Sequence, residues 1–247
     1  MELSIFVMFI SSVIATVPAT SVLFDVGLEE LPAITQSKNW ADEGYVTSIR
    51  NQKRCAACWA FTAVATVEGQ MYNKTNNLTE LSEQNLIDCA VSYRGRGCSG
   101  GWVYRAYNYI RDTGIESSIS YPYQGKQTNC SLNSSSPVSQ ISGYRRLKNT
   151  DETTLMQLVE SHGPISVAVH MSRKFSQFKG TGIFDDPACN KSVNHAVTVI
   201  GYMHSPTEKY WIIKNSWGVN WGDNGFMKMI MGKNMCKITA IVDYPIY

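Results

Sequence analysis

The sequence has few charged residues and almost no net charge. Charged side chains make up 17% of the 247 residues, with 22 lysines and arginines against 20 aspartates and glutamates. A chain so balanced lacks the extended basic surface of a nucleic-acid binder or a polybasic membrane binder, so we expect no nucleic acid partner. Hydrophobic residues reach 44%, enough for a sizeable core, which argues against a globally disordered chain.

Long apolar runs are also missing, except at the start. Residues 1–24 contain one charged side chain, Glu2, and the apolar stretch 5–17 is followed by small residues. This pattern predicts a secretory signal peptide over residues 1–19, with an uncleaved membrane anchor as the alternative. No later segment is long and apolar enough to span a bilayer, so we expect no membrane partner after signal cleavage.

The sequence lacks internal repeats and long low-complexity linkers as well. Hydrophobic periodicity predicts helices in the first half and short β-branched strands in the second, which together indicate an α+β chain. The predicted helices cover residues 59–71, 103–112 and 155–160, with a further short helix capped by Ser82. The predicted strands cover residues 165–169, 196–202, 210–214 and 226–230.

Cysteines and glycosylation acceptors follow the apolar start. In an oxidising compartment most of the seven cysteines should pair, and an odd count leaves at least one free. Asn-X-Ser/Thr acceptors fit a secreted, glycosylated chain. The cysteines are Cys55, Cys58, Cys89, Cys98, Cys130, Cys189 and Cys236, and the acceptors are Asn73, Asn77, Asn129, Asn133 and Asn190.

The close spacing of Cys55 and Cys58 allows three interpretations. A redox pair would need an alternating β/α pattern around it, and that pattern is missing. A zinc site would need a second, closely spaced ligand pair, but Cys89 and Cys98 are nine positions apart with no histidine near them. The third interpretation is a single nucleophilic sulfur accompanied by a structural cysteine.

The nucleophile interpretation has partners elsewhere in the chain. Cys58 begins an apolar helix, where the helix dipole favours thiolate over thiol. His195 stands at the head of a predicted strand, and Asn215 lies between a strand and a Gly/Trp-rich loop, so a base and an orienting group are available. Gln52, six residues before Cys58, can offer an amide donor.

Six motifs follow one another along the chain: NQ…CxxCWAF (51–61), LSEQNLIDC (81–89), GCSGG (97–101), GPISV (163–167), NHAV (194–197) and KNSWG (214–218). In this order they resemble the motifs of papain-family cysteine peptidases, and the pattern is nearest to cathepsin L-like members. The resemblance runs from Leu31 to Tyr247. The chain departs from the family pattern at Lys53, where glycine is usual, and at Ala56-Ala57, where Gly-Ser is usual.

The resemblance implies a papain-like two-subdomain fold. It has an N-terminal helical half and a C-terminal antiparallel β-barrel-like half, with the active-site cleft between them. The peptidase domain would occupy residues 31–247, and residues 20–30 would be a short residual pro-segment or linker. The family pairing implies the disulfides Cys55–Cys98, Cys89–Cys130 and Cys189–Cys236. No metal or organic cofactor is implied.

The resemblance also implies roles for the candidate residues. Cys58 would be the nucleophile and His195 its base, resting as a thiolate–imidazolium pair. Asn215 would hold the imidazole ring, and Trp217 would shield that hydrogen bond from water. Gln52 and the backbone N–H of Cys58 would form the oxyanion hole. The reaction would be hydrolysis of a peptide bond through a thioester.

The implied substrate site lies near two glycines, whose missing side chains let an extended peptide pair with the backbone. The pocket for the second residue before the cut would be lined by uncharged side chains, which predicts an aliphatic or aromatic preference. Ile241 would form its floor. The substrate-binding set is Gly100, Gly101, Trp102, Val103, Ala168, Val193, Asn194, Ala196, Trp217 and Ile241.

These observations together predict a papain-like cysteine endopeptidase that is secreted or lysosomal/endosomal. The resemblance implies endopeptidase rather than carboxydipeptidase action, because no long histidine-bearing insertion lies between Cys89 and Tyr121, where a cathepsin B-like occluding loop would sit. The expected partners are protein or peptide substrates and, as a candidate, a separate protein inhibitor; a monomer is expected. The alternative is a catalytically silent papain-like secreted binding protein.

Overall fold

The computed structural model describes residues 34–132 and 137–247. The predicted signal peptide, the segment 20–30 and the acceptor Asn133 lie outside the described residues. The helices are α1 (Cys58–Thr75), α2 (Glu83–Cys89), α3 (Val103–Thr113), α4 (Glu152–His162) and α5 (Arg173–Ser176). The strands are β1 (Ser37–Asn39), β2 (Gly143–Lys148), β3 (Ile165–Val169), β4 (Ile183–Phe184), β5 (His195–His204), β6 (Lys209–Lys214), β7 (Phe226–Ile230) and β8 (Ile241–Ile246).

Local sequence explains the helices of the first half. Residues 59–71 of α1 are buried on every side, as expected for an apolar helix at the centre of its subdomain. The helix ends at Asn76, a residue type that tolerates the left-handed conformation found there, with φ 54°. Ser82 caps α2 by accepting the N–H of Asn85, as predicted. No helix among the described residues is long and apolar enough to cross a membrane.

The second half is built on one sheet of eight strands. Their order is β2-β8-β3-β5-β6-β7-β4, with β1 paired to β5. The pairs are antiparallel except β4–β7, which is parallel. Over the described ranges the edge strands β2 and β4 do not pair with each other, so the sheet stays open. The expected barrel-like half is therefore corrected to an open sheet, while the α+β class is confirmed.

The two halves have separate hydrophobic cores. One core is formed mainly by α1, α2 and α3 and includes the fully buried Trp59 and Tyr107. The other lies against the sheet and includes Val167 and Trp211. Helix α1 also contacts β5 directly. The residue that begins α1 and the residue that begins β5 can therefore meet at the junction of the halves.

A buried ionic network ties the same junction together. Arg50 pairs with Glu68 of α1 and with Glu83 of α2. Lys214, the last residue of β6, donates to the carbonyl oxygen of Thr47 at 2.8 Å and to its hydroxyl at 3.0 Å. Burial raises the pKa of Glu83 to about 7 and lowers the pKa of Lys214 to about 8. The network fixes the end of β6, directly before Asn215.

Candidate active site

Cys58 is the first residue of α1, and it is the one cysteine left unpaired in the described chain. The nearby backbone N–H groups of Ala196 and Trp59 lower the pKa of its thiol and so oppose the larger effect of burial, which raises it. Ala196 directly follows His195 in β5, so the sulfur lies against the strand end that carries the histidine. The other six cysteines form Cys55–Cys98, Cys89–Cys130 and Cys189–Cys236, the pairs that the resemblance implied.

The structure separates the three interpretations of Cys55 and Cys58. Cys55 is bonded to Cys98, so it does not form a redox pair with Cys58. Of the residues that the structure describes, no group of three or more His, Cys, Asp or Glu side chains is arranged to hold a metal ion. The arrangement fits a single nucleophilic sulfur next to a structural disulfide.

Asn215 holds the imidazole of His195 from one side. Nε2 of His195 lies 2.9 Å from Oδ1 of Asn215. The same oxygen accepts the backbone N–H of Ser216 at 2.8 Å. An amide oxygen is an acceptor, so Nε2 carries the proton in this bond, and Nδ1 is the nitrogen that remains for the sulfur. His195 begins β5 and Asn215 follows β6, and these strands are neighbours in the sheet.

Aromatic rings cover this hydrogen bond. The indole of Trp217 stacks on the imidazole of His195, with 4.6 Å between ring centroids and 25° between planes. Phe175 of α5 presents an edge to Trp217 at 5.9 Å, and Trp221 packs against Trp217 at 5.3 Å. Water is kept from the Nε2–Oδ1 bond, and a hydrogen bond is electrostatically stronger in such a low-dielectric setting.

Gln52 is buried and connected to the same group of side chains. Its Oε1 accepts the hydroxyl of Ser216 at 2.6 Å, and its Nε2 donates to the carbonyl oxygen of Cys55 at 2.9 Å. An amide nitrogen carries two protons, so one N–H of Gln52 remains for a ligand. A continuous chain of hydrogen bonds therefore runs from His195 through Asn215 and Ser216 to Gln52.

The loop after Gln52 accommodates Lys53, which stands where the family usually has glycine. Lys53 takes the left-handed conformation, with φ 53°. That conformation costs a residue with a Cβ about 1–2 kcal/mol, so glycine suits the position better. Two hydrogen bonds hold the loop: the N–H of Lys53 donates to Asn51 Oδ1 at 2.8 Å, and the Tyr123 hydroxyl donates to the Gln52 carbonyl at 2.6 Å. The lysine therefore adopts the conformation without displacing Gln52.

Burial disfavours the charged forms of both Cys58 and His195, the thiolate and the imidazolium. It raises the pKa of the Cys58 thiol, and it lowers the pKa of His195 to about 4, against the opposing effect of the Asn215 hydrogen bond. Attraction between a thiolate and an imidazolium acts only when both are charged, and it counters both shifts. The position of the sulfur at the N-terminus of α1 favours the thiolate further.

A cavity of about 550 Å³ opens beside Cys58 and His195. Charged residues line this cavity as a whole, since Asp243, Arg96 and Arg105 are among its lining residues together with Ser166. The uncharged lining of the pocket for the second residue before the cut stays a prediction. Trp217 is not among the lining residues and stacks on His195 instead. The predicted substrate-binding residues that do line the cavity are Gly100, Gly101, Trp102, Val103, Ala168, Val193, Asn194, Ala196 and Ile241.

Several residues of the site escaped the sequence analysis. Ser216 lies inside the motif KNSWG, but its hydrogen bond with Gln52 could not be inferred from the sequence. Asp243 is two positions after Ile241 in β8, and the two-residue period of a strand is a signal that places both on one face. Phe175 had no signal, because α5 is only four residues long.

Comparisons with known proteins agree with this geometry. Residues 34–246 match the family model described as papain family cysteine protease. The chain belongs to this family. Among curated relatives of this papain-family chain, cathepsin J of Rattus norvegicus is 43% identical over 215 residues, which cover 84% of the chain and 64% of that protein. Cathepsin S of Mus musculus is 42% identical, covering 84% of the chain and 62% of that protein.

Solved structures of the family have the same fold. Digestive procathepsin L 3 of Tenebrio molitor larval midgut superposes with a TM-score of 0.83 at 39% identity, covering 88% of this chain and 72% of that one. The bromelain protease of Ananas comosus, solved in complex with the E64 inhibitor, gives a TM-score of 0.80 at 42% identity, covering 86% and 99%. The chain spans less than two thirds of the length of the curated relatives cited above, 62% to 64%.

Proposed function

We propose that this papain-family chain is a cysteine endopeptidase with Cys58 as nucleophile and His195 as base. One observation carries the proposal: the one free sulfur of the described chain lies at the start of α1 and lines the same cavity as His195, whose ring Asn215 holds. A nucleophile, a base and a group that orients the base are what nucleophilic acyl transfer requires. The substrates would be proteins or peptides bound in the cavity beside Cys58.

The chemistry follows from these positions. The Cys58 thiolate attacks the peptide carbonyl, and the carbonyl electrons move onto an oxyanion. One N–H of Gln52 and the N–H of Cys58 stabilise that oxyanion. His195 then gives its proton to the leaving amine, and the C–N bond breaks to leave a thioester. A water molecule, deprotonated by His195, hydrolyses the thioester and restores the thiolate and the imidazolium.

The resting state is proposed to be the thiolate–imidazolium pair. Burial disfavours each charge taken alone, as the raised pKa of Cys58 and the lowered pKa of His195 indicate. The opposing contributions come from the backbone N–H groups at the sulfur, the helix N-terminus and the attraction between the two charges. The pair forms when these contributions outweigh the desolvation of both groups.

Labelling with E64 tests the proposed function through the thiolate. Cys58 is expected to react between pH 5 and 7. In the His195→Ala variant the sulfur loses its counter-charge, and a thiol with an ordinary pKa of about 8.5 is roughly 10²-fold less ionised at pH 6. The labelling rate at pH 6 should fall by that factor and recover above pH 8. The measurement is the rate of adduct formation, followed by mass spectrometry.

The matched control for this experiment is His170→Ala, which removes a partly buried histidine that follows β3 and bonds through Nδ1 to the carbonyl oxygen of Ser192. It should leave the labelling rate unchanged. If folded, unmodified protein fails to label at Cys58 between pH 5 and 7, the peptidase proposal is wrong. The catalytically silent binding protein would then be the better account.

Gln52→Ala is expected to reduce kcat by about 10²–10³ with a smaller change in KM, because an oxyanion donor acts mainly on the transition state. Steady-state kinetics on an internally quenched peptide measure both constants. Ser216→Ala is the matched comparison, since it keeps the Gln52 amide and removes only the 2.6 Å contact that positions it. Its kcat should fall less. A decrease below about fivefold for Gln52→Ala would exclude Gln52 from the oxyanion hole.

The remaining expectations belong to the same proposal. Cleavage should occur within peptides, which release of internal fragments rather than C-terminal dipeptides would demonstrate. A secreted or lysosomal/endosomal protein is expected, with a separate protein inhibitor as a candidate partner. Glycosylation would need accessible acceptors, and Asn73, Asn77, Asn129 and Asn190 are exposed.

A further inference from the structure

A group of exposed cations lies next to the cavity beside Cys58, and the proposed mechanism does not use it. Three segments of the helical half carry these cations, namely residues 51–58, 95–102 and 122–132. The segments contain no aspartate and no glutamate, so their charge is of one sign. We call the four cations the basic rim, and its members, all exposed, are Lys53, Arg54, Arg96 and Lys126.

Close packing holds the three segments in one surface. The disulfide Cys55–Cys98 joins the first segment to the second, with 4.6 Å between its Cα atoms. Gly97 of the second segment packs on Gln127 of the third so closely that a Cβ on the glycine would have no room. Cδ of Lys53 lies 3.4 Å from the position that a Cβ on Gly125 would take. The four cations therefore belong to one continuous patch.

No carboxylate of the described chain neutralises the basic rim. Over residues 34–132 and 137–247, none of its four members forms an ion pair. Between residues 51 and 132 two acidic side chains are not buried: Glu80 accepts the hydroxyl of Ser48, and Asp112 pairs with Arg111. Unpaired charges of one sign on a surface produce a positive potential that attracts anionic ligands.

The basic rim is continuous with the cavity. Arg96 lines the cavity itself, and so does Ala56, two positions after Arg54. Lys53 directly follows Gln52, the proposed oxyanion donor. Arg96 uses one N–H for a backbone carbonyl oxygen, and because a guanidinium has five N–H donors, others remain for a ligand. A polypeptide that occupies the cavity therefore runs past these cations.

The backbone at Lys53 supports a functional interpretation of its charge. The residue holds the left-handed conformation, with φ 53°, which is unfavourable for a side chain with a Cβ. Such strained positions cluster at functional sites. Glycine would relieve the strain, but only a cationic residue adds charge beside Gln52.

We propose that the basic rim is an exosite that attracts acidic stretches of polypeptide substrates on either side of the cleaved bond. The inference rests on the proposed peptidase function and deepens it by naming a substrate class. Guanidinium and ammonium groups form charge-assisted hydrogen bonds with carboxylates. Exposed charge pairs contribute little individually, so the main effect is on the association rate, which charges at the rim of a binding site control. A polypeptide is favoured over a sulfated polysaccharide, because one polypeptide can contact the basic rim and fill the cavity together.

The test is the association rate with the Cys58→Ala variant, followed by stopped-flow fluorescence, which requires no turnover. Two peptides share one core sequence, flanked on both sides by glutamates in one and by glutamines in the other. In about 10 mM salt, where charges act over about 30 Å, the glutamate peptide should associate at least about tenfold faster. In about 1 M salt, where charges act over about 3 Å, the ratio should approach one.

Neutralising the basic rim should bring the low-salt ratio close to one. The matched control removes the same number of positive charges from exposed lysines of the second half and should leave the ratio unchanged, so net charge alone cannot explain the result. The rim substitutions, added to Cys58→Ala, are Lys53→Gln, Arg54→Gln, Arg96→Gln and Lys126→Gln. The control substitutions are Lys148→Gln, Lys179→Gln, Lys209→Gln and Lys237→Gln. If the rim variant does not fold, the salt dependence of the Cys58→Ala variant still decides.

Three outcomes would overturn the inference. The first is equal association of the two peptides in low salt. The second is a ratio that the rim and control substitutions change equally. The third is rim-dependent binding of heparin without any preference for the glutamate peptide, which would make the surface a polysaccharide site instead.

Cleavage of the same peptides by the unmodified chain separates the two hypotheses. If the protein cleaves neither peptide, the proposed function fails, while the association ratio still decides the role of the basic rim. If it cleaves the glutamine peptide and shows no faster association with the glutamate peptide, the peptidase stands and the exosite inference falls.

Discussion

Replacing Cys58 with alanine is expected to abolish peptidase activity, with kcat reduced by about 10⁶-fold, the scale found for loss of the nucleophile in serine peptidases. The reason is that Cys58 forms the covalent bond to substrate in the proposed mechanism, and no other free thiol exists in the described chain to replace it. The three disulfides do not involve Cys58, so the fold should persist. Turnover of a quenched peptide measures the loss.

Two further measurements test whether the loss of activity comes from the missing thiol rather than from unfolding. Circular dichroism and the free energy of unfolding should match those of the unmodified protein, which shows that activity was lost without unfolding. The Cys58→Ser variant keeps a hydroxyl in place of the thiol and should be nearly as inactive, because His195 must then deprotonate a far weaker acid. Retention of more than about a hundredth of the activity in Cys58→Ala would remove Cys58 from the mechanism.

The second large effect concerns stability. Glu68 is fully buried and accepts hydrogen bonds from Arg50, the Thr47 hydroxyl at 2.7 Å and the N–H of Leu81 at 2.8 Å. Glu68→Ala would leave the mostly buried Arg50 with Glu83 as its remaining buried carboxylate, and it would leave the N–H of Leu81 without an acceptor. Removing one partner of a buried ion pair costs about 3–5 kcal/mol. The free energy of unfolding in urea, with disulfides intact, should decrease by that amount.

A surface pair supplies the comparison. Glu43 pairs with Lys38 at 2.8 Å, but its side chain is 45% exposed. Exposed ion pairs contribute about 0–1 kcal/mol, so Glu43→Ala should change the unfolding free energy far less than Glu68→Ala. If the two variants lose similar stability, the network at the junction of the halves does not depend on buried charge as described.

The sequence was most informative where the signal is local. The apolar stretch that became α1, the serine that caps α2 and the β-branched runs that became β3, β5, β6 and β7 all follow from neighbouring residues. Their physical causes are helix capping, side-chain periodicity and the conformational preferences of single residues, which act over a few positions. The boundaries differ from the predictions by a few residues, since helix ends are set by backbone hydrogen bonds as well.

The sequence motifs also identified four residues of the candidate site. Cys58, His195, Asn215 and Gln52 were selected from their motifs, and the structure brings them to one junction. The hydrogen-bond chain that joins them through Ser216 was not visible, because Gln52 and Ser216 are 164 positions apart. Their catalytic roles stay predictions until the labelling and kinetic experiments are done.

By itself, then, the sequence determined helices α1 to α4, most of the central strands, the family and the candidate catalytic residues. Only the tertiary structure decided that the sheet stays open, that β1, β2, β4 and β8 complete it, and that Asp243 lines the cavity beside Cys58. The reason is that strand pairing and burial are settled between distant segments. An aspartate in a β-rich stretch gives no sign of whether it meets water, an arginine or a ligand until its neighbours across the sheet are in place.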